Sequence, residues 1–190
     1  MGFTYISCSQ KKNGQYRLCV DLKKTLNPSL CTDVYALPTL ENIFAKLNGG
    51  AVFCVLDLSE AYTQLKVNPE SQKLLTVNTH KSLFQFTRLV YGISSAPALF
   101  QKFIDTLVQG IPNTVAYLDD ILIQGSNFPM CLDTVTLVLQ KLNDHNVRIQ
   151  PNKCLWFKSS VEYLGHVISE QGRAPSLTQA IVDAPVPTNV

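Results

Sequence analysis

The chain has 190 residues, 46% hydrophobic and 16% charged, with a formal net charge of +2. This composition can build a core and is not that of a disordered chain, and the length leaves room for one domain, or one domain with a small lobe. No apolar run reaches the length of a membrane span and no apolar block opens the chain, so neither a membrane partner nor secretion is expected. The 6 cysteines are scattered without a CxxC pair, which argues against a zinc site and for small buried thiols in a reducing, intracellular setting.

Taken in order, Tyr5–Cys8 and Tyr16–Val20 read as a hairpin around the turn-prone Lys12-Asn13-Gly14. Lys11, Lys12, Arg17, Lys23 and Lys24 crowd this stretch, opposed only by Asp21. Such a cluster is either a phosphate-binding patch or a solvated basic face, and the small net charge does not decide between them. Residues 25–38 carry break signals at Asn27-Pro28, Asp33 and Pro38. Leu40, Ile43, Phe44 and Leu47 then follow helical spacing, with Thr39 as N-cap and Gly49-Gly50 as the stop.

The run Ala51–Leu56 is uninterrupted and apolar, the pattern of a strand covered on both faces, and it ends in Asp57. Residues 64–90 read as short strands at 64–67, 74–77, 83–86 and 88–90. A helix capped by Ser94 or Ser95 follows, with Leu99, Phe103 and Leu107 as one stripe and Phe100, Ile104 and Val108 beside it; Gly110 and Pro112 end it. Val115–Tyr117 and Ile121–Ile123 flank Asp119-Asp120 as a second hairpin. Leu132, Val135, Leu139 and Leu142 predict another helix ending near Asn146. Cys154–Phe157 and Val161–Ile168 are strand-like, and residues 171–190 predict a connection with at most a short helix from Leu177 to Val182. Strands pairing as hairpins among helices predict an α+β fold with an antiparallel sheet.

A buried carboxylate at the end of a strand is costly unless solvent or a cation reaches it. Asp57, Asp119 and Asp120 on two such elements are the donor type that hard divalent cations take. Two-metal phosphoryl transfer is one reading; turn acids beside a stray strand-end acid is the other. His80, His145 and His166 show no ligand spacing.

Motifs in fixed order carry a resemblance. Lys11-Lys12-Asn13-Gly14-Gln15-Tyr16-Arg17 resembles a fingers motif and is followed by Val20-Asp21 and Leu26-Asn27. Val55-Leu56-Asp57-Leu58 with Tyr62 resembles the first catalytic palm motif. Leu89 to Gln101 resembles the template and nucleotide pocket, and Tyr117-Leu118-Asp119-Asp120 resembles the most diagnostic box. Asn152-Lys153-Cys154 and Tyr163 to Ser169 resemble the segment leading into a primer grip. Together these resemble reverse transcriptases of gypsy-type LTR retrotransposons and their retroviral relatives.

The resemblance implies a right-hand polymerase fold: partial fingers at 1–50, a palm at 51–170 containing a fingers insertion at about 64–90 and a primer-grip hairpin, and at 171–190 the start of a connection to a missing thumb. It implies that Asp57, Asp119 and Asp120, with the Leu58 carbonyl, hold two Mg²⁺, replaceable by Mn²⁺. Lys12 and Arg17 would bind the triphosphate of a dNTP, Tyr62 would exclude a ribose 2′-hydroxyl, and Tyr91 and Gly92 would meet the nucleotide. Tyr163, Leu164 and Gly165 would press on the primer, and Lys153 would approach the nucleotide site. Implied partners are an RNA or DNA template with primer, dNTPs, the missing thumb, RNase H and integrase regions of a polyprotein, and a second copy in a dimer. Implied locations are a cytoplasmic virus-like particle or the nucleus.

Departures from the family pattern are the extra residue in Leu22-Lys23-Lys24-Thr25, Ala36 in place of Pro, and Tyr91 where gypsy-type members have Phe and retroviruses Gln. The expected activity is RNA-directed DNA polymerisation. The rivals are an inactive remnant that binds nucleic acid or protein, and another palm enzyme such as a nucleotide cyclase.

Overall fold

The computed structural model describes residues 5–10, 14, 16–30, 35–47 and 49–176. The chain groups into two compact units, Met1–Leu37 with Glu60–Thr106, and Pro38–Ser59 with Leu107–Val190.

In the first unit, β1 (Tyr5–Gln10) and β2 (Tyr16–Asp21) form the expected antiparallel hairpin. Lys11 to Asn13 at its tip lie outside the described residues. The core of this unit is Val20 of β2 and Leu22 just after it, Leu75 and Val77, and Leu89, Val90, Ile93 and Ala96, with Tyr62 packed against it.

The four short strands expected between 64 and 90 are mostly something else. Asn68 accepts from the Glu70 N–H, and Pro69 with its fixed φ starts helix α2 (Pro69–Gln72). A 3-10 turn over Lys73–Leu75 continues it and takes Leu74 and Leu75 out of the expected strand. Only β4 (Thr76–Asn78) and β5 (Leu83–Gln85) pair, and Lys66 and Arg88 meet in a single bridge.

The helix α3 (Ala96–Val108) forms as expected. Phe100, Gln101 and Ile104 are fully buried, whereas Leu99 is exposed. The companion row Phe100, Ile104 and Val108 is buried throughout, and of the row led by Leu99 only Leu107 joins it among the buried residues.

In the second unit, α1 (Leu40–Ala45) starts at Thr39, whose hydroxyl accepts from the Asn42 N–H. Four antiparallel strands follow the order β6 (Thr114–Tyr117), β7 (Asp120–Gly125), β3 (Val52–Asp57), β8 (Leu155–Lys158). The continuous apolar run of β3 has the expected cause. Phe53 and Val55 face a core with Ile43 and Phe44 of α1, Leu122 and Tyr163. On the opposite face Cys54 meets Cys131 of helix α4 (Phe128–Asp144), Sγ to Sγ 3.8 Å.

Helix α4 comes close because Gly125 has no side chain. A Cβ there would stand 2.5 Å from the Cys131 nitrogen. Cys54, Cys131 and Cys154 are buried free thiols, and burial pushes Cys131 up to about 12, so they behave as small apolar residues.

The apolar face of α4 differs from the expected one. Asn127 caps the helix, Pro129 occupies its first turn, and the buried residues are Cys131, Thr134, Val135, Val138 and Leu142. Leu132 is exposed. A three-stranded meander closes this unit: β9 (Ser160–Tyr163), β10 (His166–Ser169) and β11 (Gly172–Pro175). The strand β11 stands where a plain connection was expected. The short helix anticipated from Leu177 lies outside the described residues. Among the described residues no helix is long and apolar enough to cross a membrane.

Candidate active site

The three aspartates meet through the pairing of β3 with β7. In that register Asp57 stands directly opposite Asp120. The β6–β7 hairpin closes on the pair Tyr117 and Asp120, so Leu118 and Asp119 form a two-residue loop. Leu118 holds a left-handed φ of 49°, costly for a residue with a branched side chain, in the tight turn that carries Asp119. The Leu58 N–H donates to the Asp119 carbonyl at 2.8 Å. On the other side of β3 the Ser59 and Gln150 N–H groups donate to the Arg148 and Asp57 carbonyls, so Asp57–Ser59 is held from both edges.

Charge around this point is unbalanced. Burial, then the charges of Asp57 and Asp119, push the Asp120 carboxyl up to about 6, and only Lys153 opposes them. Lys153 Nζ stands 3.5 Å from Asp57 Oδ2. Cys154 completes the frame: its Sγ accepts from the Asp57 N–H at 3.4 Å and donates to the Gln150 carbonyl at 3.3 Å. The Tyr163 hydroxyl donates to the Asp120 carbonyl at 3.4 Å.

Among the described residues no three His, Cys, Asp or Glu side chains already form a cation cage. The fit to a divalent cation rests on the donor chemistry. Hard carboxylate oxygens are drawn together on one strand pair, and burial followed by the neighbouring Asp57 and Asp119 charges disfavours the ionised form of Asp120, a cost that a bound cation would offset.

The first unit carries the remaining expected residues. Arg17 lies on β2 opposite Ser9, and Lys12 lies outside the described residues. The Val20 N–H donates to the Tyr91 carbonyl at 2.9 Å, which docks the Tyr91-Gly92 loop on β2. Gly92 has φ 110°, and a Cβ there would fall 1.9 Å from the Val20 carbonyl oxygen, so no other residue fits. Tyr62 sits in a 3-10 turn, Ala61–Gln64, entered through Glu60 at a left-handed φ of 49°. Its ring centroid is 4.9 Å from that of Tyr91 and 5.7 Å from that of Phe100.

In the second unit Leu164 and Gly165 form the β9–β10 turn with φ of 50° and 76°, the two positive values that a primed hairpin turn needs. Tyr163 is buried in the core, so the turn offers Leu164, Gly165 and backbone rather than the tyrosine ring.

Two residues in these frames were not singled out by the sequence for any role. Asn27 Nδ2 donates to the Gly92 carbonyl at 2.9 Å and its Oδ1 accepts from the Ser94 N–H at 3.0 Å. Cys154 is the other. The signal for Asn27 was its place in the Leu26-Asn27 pair, but beside Pro28 it read as an ordinary turn.

The sequence profile of the reverse transcriptase (RNA-dependent DNA polymerase) family matches residues 9–168. The chain belongs to the reverse transcriptase family. An uncharacterized protein of Caenorhabditis elegans is 35% identical over 183 residues, covering 95% of this chain and 14% of its own length. The transposon Tf2-3 polyprotein of Schizosaccharomyces pombe is 37% identical over 167 residues, 87% of this chain and 12% of its own length. The retrovirus-related Pol polyprotein from transposon 297 of Drosophila melanogaster is 31% identical over 178 residues, 92% of this chain and 17% of its own length. The chain thus spans a minor part of the curated relatives it matches.

Among solved structures, the foamy viral protease–reverse transcriptase in complex with double-stranded DNA superposes with a TM-score of 0.86 at 22% identity, over 97% of this chain and 33% of that one. The same viral protein with an RNA/DNA hybrid gives 0.82 at 21%, over 97% and 25%. The fold is therefore the α+β fingers and palm of a reverse transcriptase.

Proposed function

We propose that the chain is the nucleotidyl-transfer region of a gypsy-type retrotransposon reverse transcriptase, acting within a longer polyprotein. The observation that carries this is the pairing of Asp57 with Asp120 beside the Asp119 turn, three carboxylates brought together on one strand pair, where burial and then the charges of Asp57 and Asp119 raise Asp120. Family membership and the retrotransposon relatives support it.

In the proposed reaction the 3′-hydroxyl oxygen of a primer attacks the α-phosphorus of a dNTP. A new P–O bond forms, the bond to the β-phosphate bridging oxygen breaks, and pyrophosphate leaves. Asp57, Asp119 and Asp120, with the Leu58 carbonyl, would hold two Mg²⁺ or Mn²⁺. Bound divalent ions lower the pKa of a hydroxyl and offset charge on phosphate oxygens. Lys153, 3.5 Å from Asp57, would approach the nucleotide. Lys12 and Arg17 bind the triphosphate as cations. Tyr62 rejects a 2′-hydroxyl, and Gly92 lets backbone approach the nucleotide beside Tyr91. The Tyr163-Leu164-Gly165 turn supports the primer.

The proposed partners are a primed RNA or DNA template, dNTPs, the thumb, RNase H and integrase regions of the polyprotein, and a second copy as a dimer. The proposed place is a cytoplasmic virus-like particle or the nucleus.

The test is primer extension by the 190-residue chain on an RNA template with a DNA primer, Mg²⁺ and dNTPs, beside Asp119→Asn. Extension by the native sequence and none by the variant is expected. Equal product from both would overturn the reading. Nucleic-acid binding with no extension by either would favour an inactive binding remnant.

A further inference from the structure

Tyr62 and Tyr91 are in ring contact, and the loop that carries Tyr91 is pinned at several points. From this we infer that Tyr91 is a positioning residue for sugar discrimination: its ring braces Tyr62, and Asn27 holds the brace in place. The inference rests on the proposal that Tyr62 is the sugar gate.

A gate that works by clash excludes a 2′-hydroxyl only while its ring cannot swing aside. A tyrosine has two soft side-chain torsions, so something must fill the space it would swing into. Here the Tyr62 ring is bounded by Tyr91 at 4.9 Å, tilted by 46°, and by Phe100 at 5.7 Å, edge-on at 65°. Phe100 is fully buried and fixed in α3. Tyr91 lies outside the named helices and strands, tied to β2 by a single parallel bridge with Cys19, so its stiffness has to come from individual hydrogen bonds.

It comes from three hydrogen bonds. The Tyr91 carbonyl accepts from the Val20 N–H at 2.9 Å, and Asn27 spans the next residues, donating to the Gly92 carbonyl at 2.9 Å and accepting from the Ser94 N–H at 3.0 Å. One amide side chain thus satisfies a backbone acceptor and a backbone donor two residues apart, and only a group with both functions does so. The tight seat of Gly92 against Val20 leaves the loop no room to slide. Val20, Asn27, Tyr62, Tyr91 and Phe100 all belong to the first unit.

The test measures the affinity of dCTP and of CTP opposite a template guanine, with Mg²⁺ and a dideoxy-terminated primer so that no bond forms. In Tyr91→Ala the CTP affinity rises, and the preference for dCTP falls about 3- to 10-fold, the range expected for one aromatic contact. The ratio of the two affinities is the readout, because Tyr91 is also proposed to lie beside the nucleotide, and the melting temperature changes little. Tyr91→Phe keeps the ring and keeps the preference. Asn27→Ala lowers the preference in the same direction as Tyr91→Ala.

A gain of CTP binding cannot come from a merely loosened fold, which would weaken both nucleotides. If Tyr62→Val lowers the preference and Tyr91→Ala does not, the brace is overturned and the gate stands. If Tyr91→Phe loses the preference as fully as Tyr91→Ala, the hydroxyl rather than the ring is at work and the brace is overturned. If Tyr62→Val changes nothing, or the native chain prefers neither nucleotide, the gate fails and the brace with it.

Discussion

Asp120 is the residue whose charge state the surroundings contest most. Burial and the neighbouring Asp57 and Asp119 raise its carboxyl from the ordinary 3.8 to about 6. The folded chain then holds that proton more tightly than the unfolded chain. Its contribution to stability is complete below the ordinary carboxylate range and is lost as pH rises through about 6. Without divalent cations, the melting temperature is expected to fall between pH 4 and 7, and Asp120→Asn to reduce that fall. Parallel curves for both proteins would show that the proton is not linked to folding. A second residue-scale expectation concerns Gly92. Gly92→Ala forces a methyl group into the Val20 carbonyl at a φ of 110° and should cost about 2 kcal/mol or more, measured by urea unfolding. The aspartates were legible in the sequence because a carboxylate at the end of an apolar run asks for an explanation. Asn27 was not, because its two hydrogen bonds reach residues 65 and 67 positions away.

Among the elements, α4 shows how a correct helix is read with the wrong face. Leu132, Val135, Leu139 and Leu142 suggested one stripe, of which Val135 and Leu142 belong to the real one. The cap at Asn127 starts the helix a turn earlier, and Gly125 lets it approach β7 at Cys131, which sets the phase. Leu142→Ala, at a site 2% exposed, should cost about 2–5 kcal/mol. Leu132→Ala, at 42% exposure, should stay within about 0.5 kcal/mol by the same chemical denaturation. The reverse order would restore the face drawn from leucine spacing. The stretch from 64 to 90 failed for a related reason. Leu74 and Leu75 suit a strand by propensity, but the local cap at Asn68 and Pro69 commits the chain to helical turns first. The hairpins at β1–β2 and β6–β7, by contrast, were legible because turn residues and alternating apolar runs agree.

For the whole molecule, the repulsion stored at the aspartates predicts a linkage between cation binding and stability. Mg²⁺ in tenfold excess over its Kd should raise the melting temperature by about 3–6 °C, and Asp57→Asn should abolish the rise. Thermal unfolding in EDTA and in Mg²⁺ measures it, and an undiminished rise in the variant would place the ion elsewhere. The α+β class was legible because hairpins and helices are local. The two units are each assembled from two separate stretches of chain, which periodicity does not draw; only the resemblance, with a fingers insertion at about 64–90 inside the palm, implies a discontinuous arrangement. Pro38 is a break signal at the first passage, but nothing in the composition near residue 60 marks the second, and the third falls inside α3.

That alternation has a consequence for inheritance. The chain passes between units at 37/38, 59/60 and 106/107. Wherever a single genetic crossover falls between two diverged copies of this sequence, at least one unit is built from two parents. Between 38 and 106 both are. Asp57 and Asp119 lie on opposite sides of the whole 60–106 stretch, so recombination readily separates strands that must later pair residue for residue. A lineage that exchanges segments can keep this fold only if the partners across β3 and β7 remain interchangeable between its members.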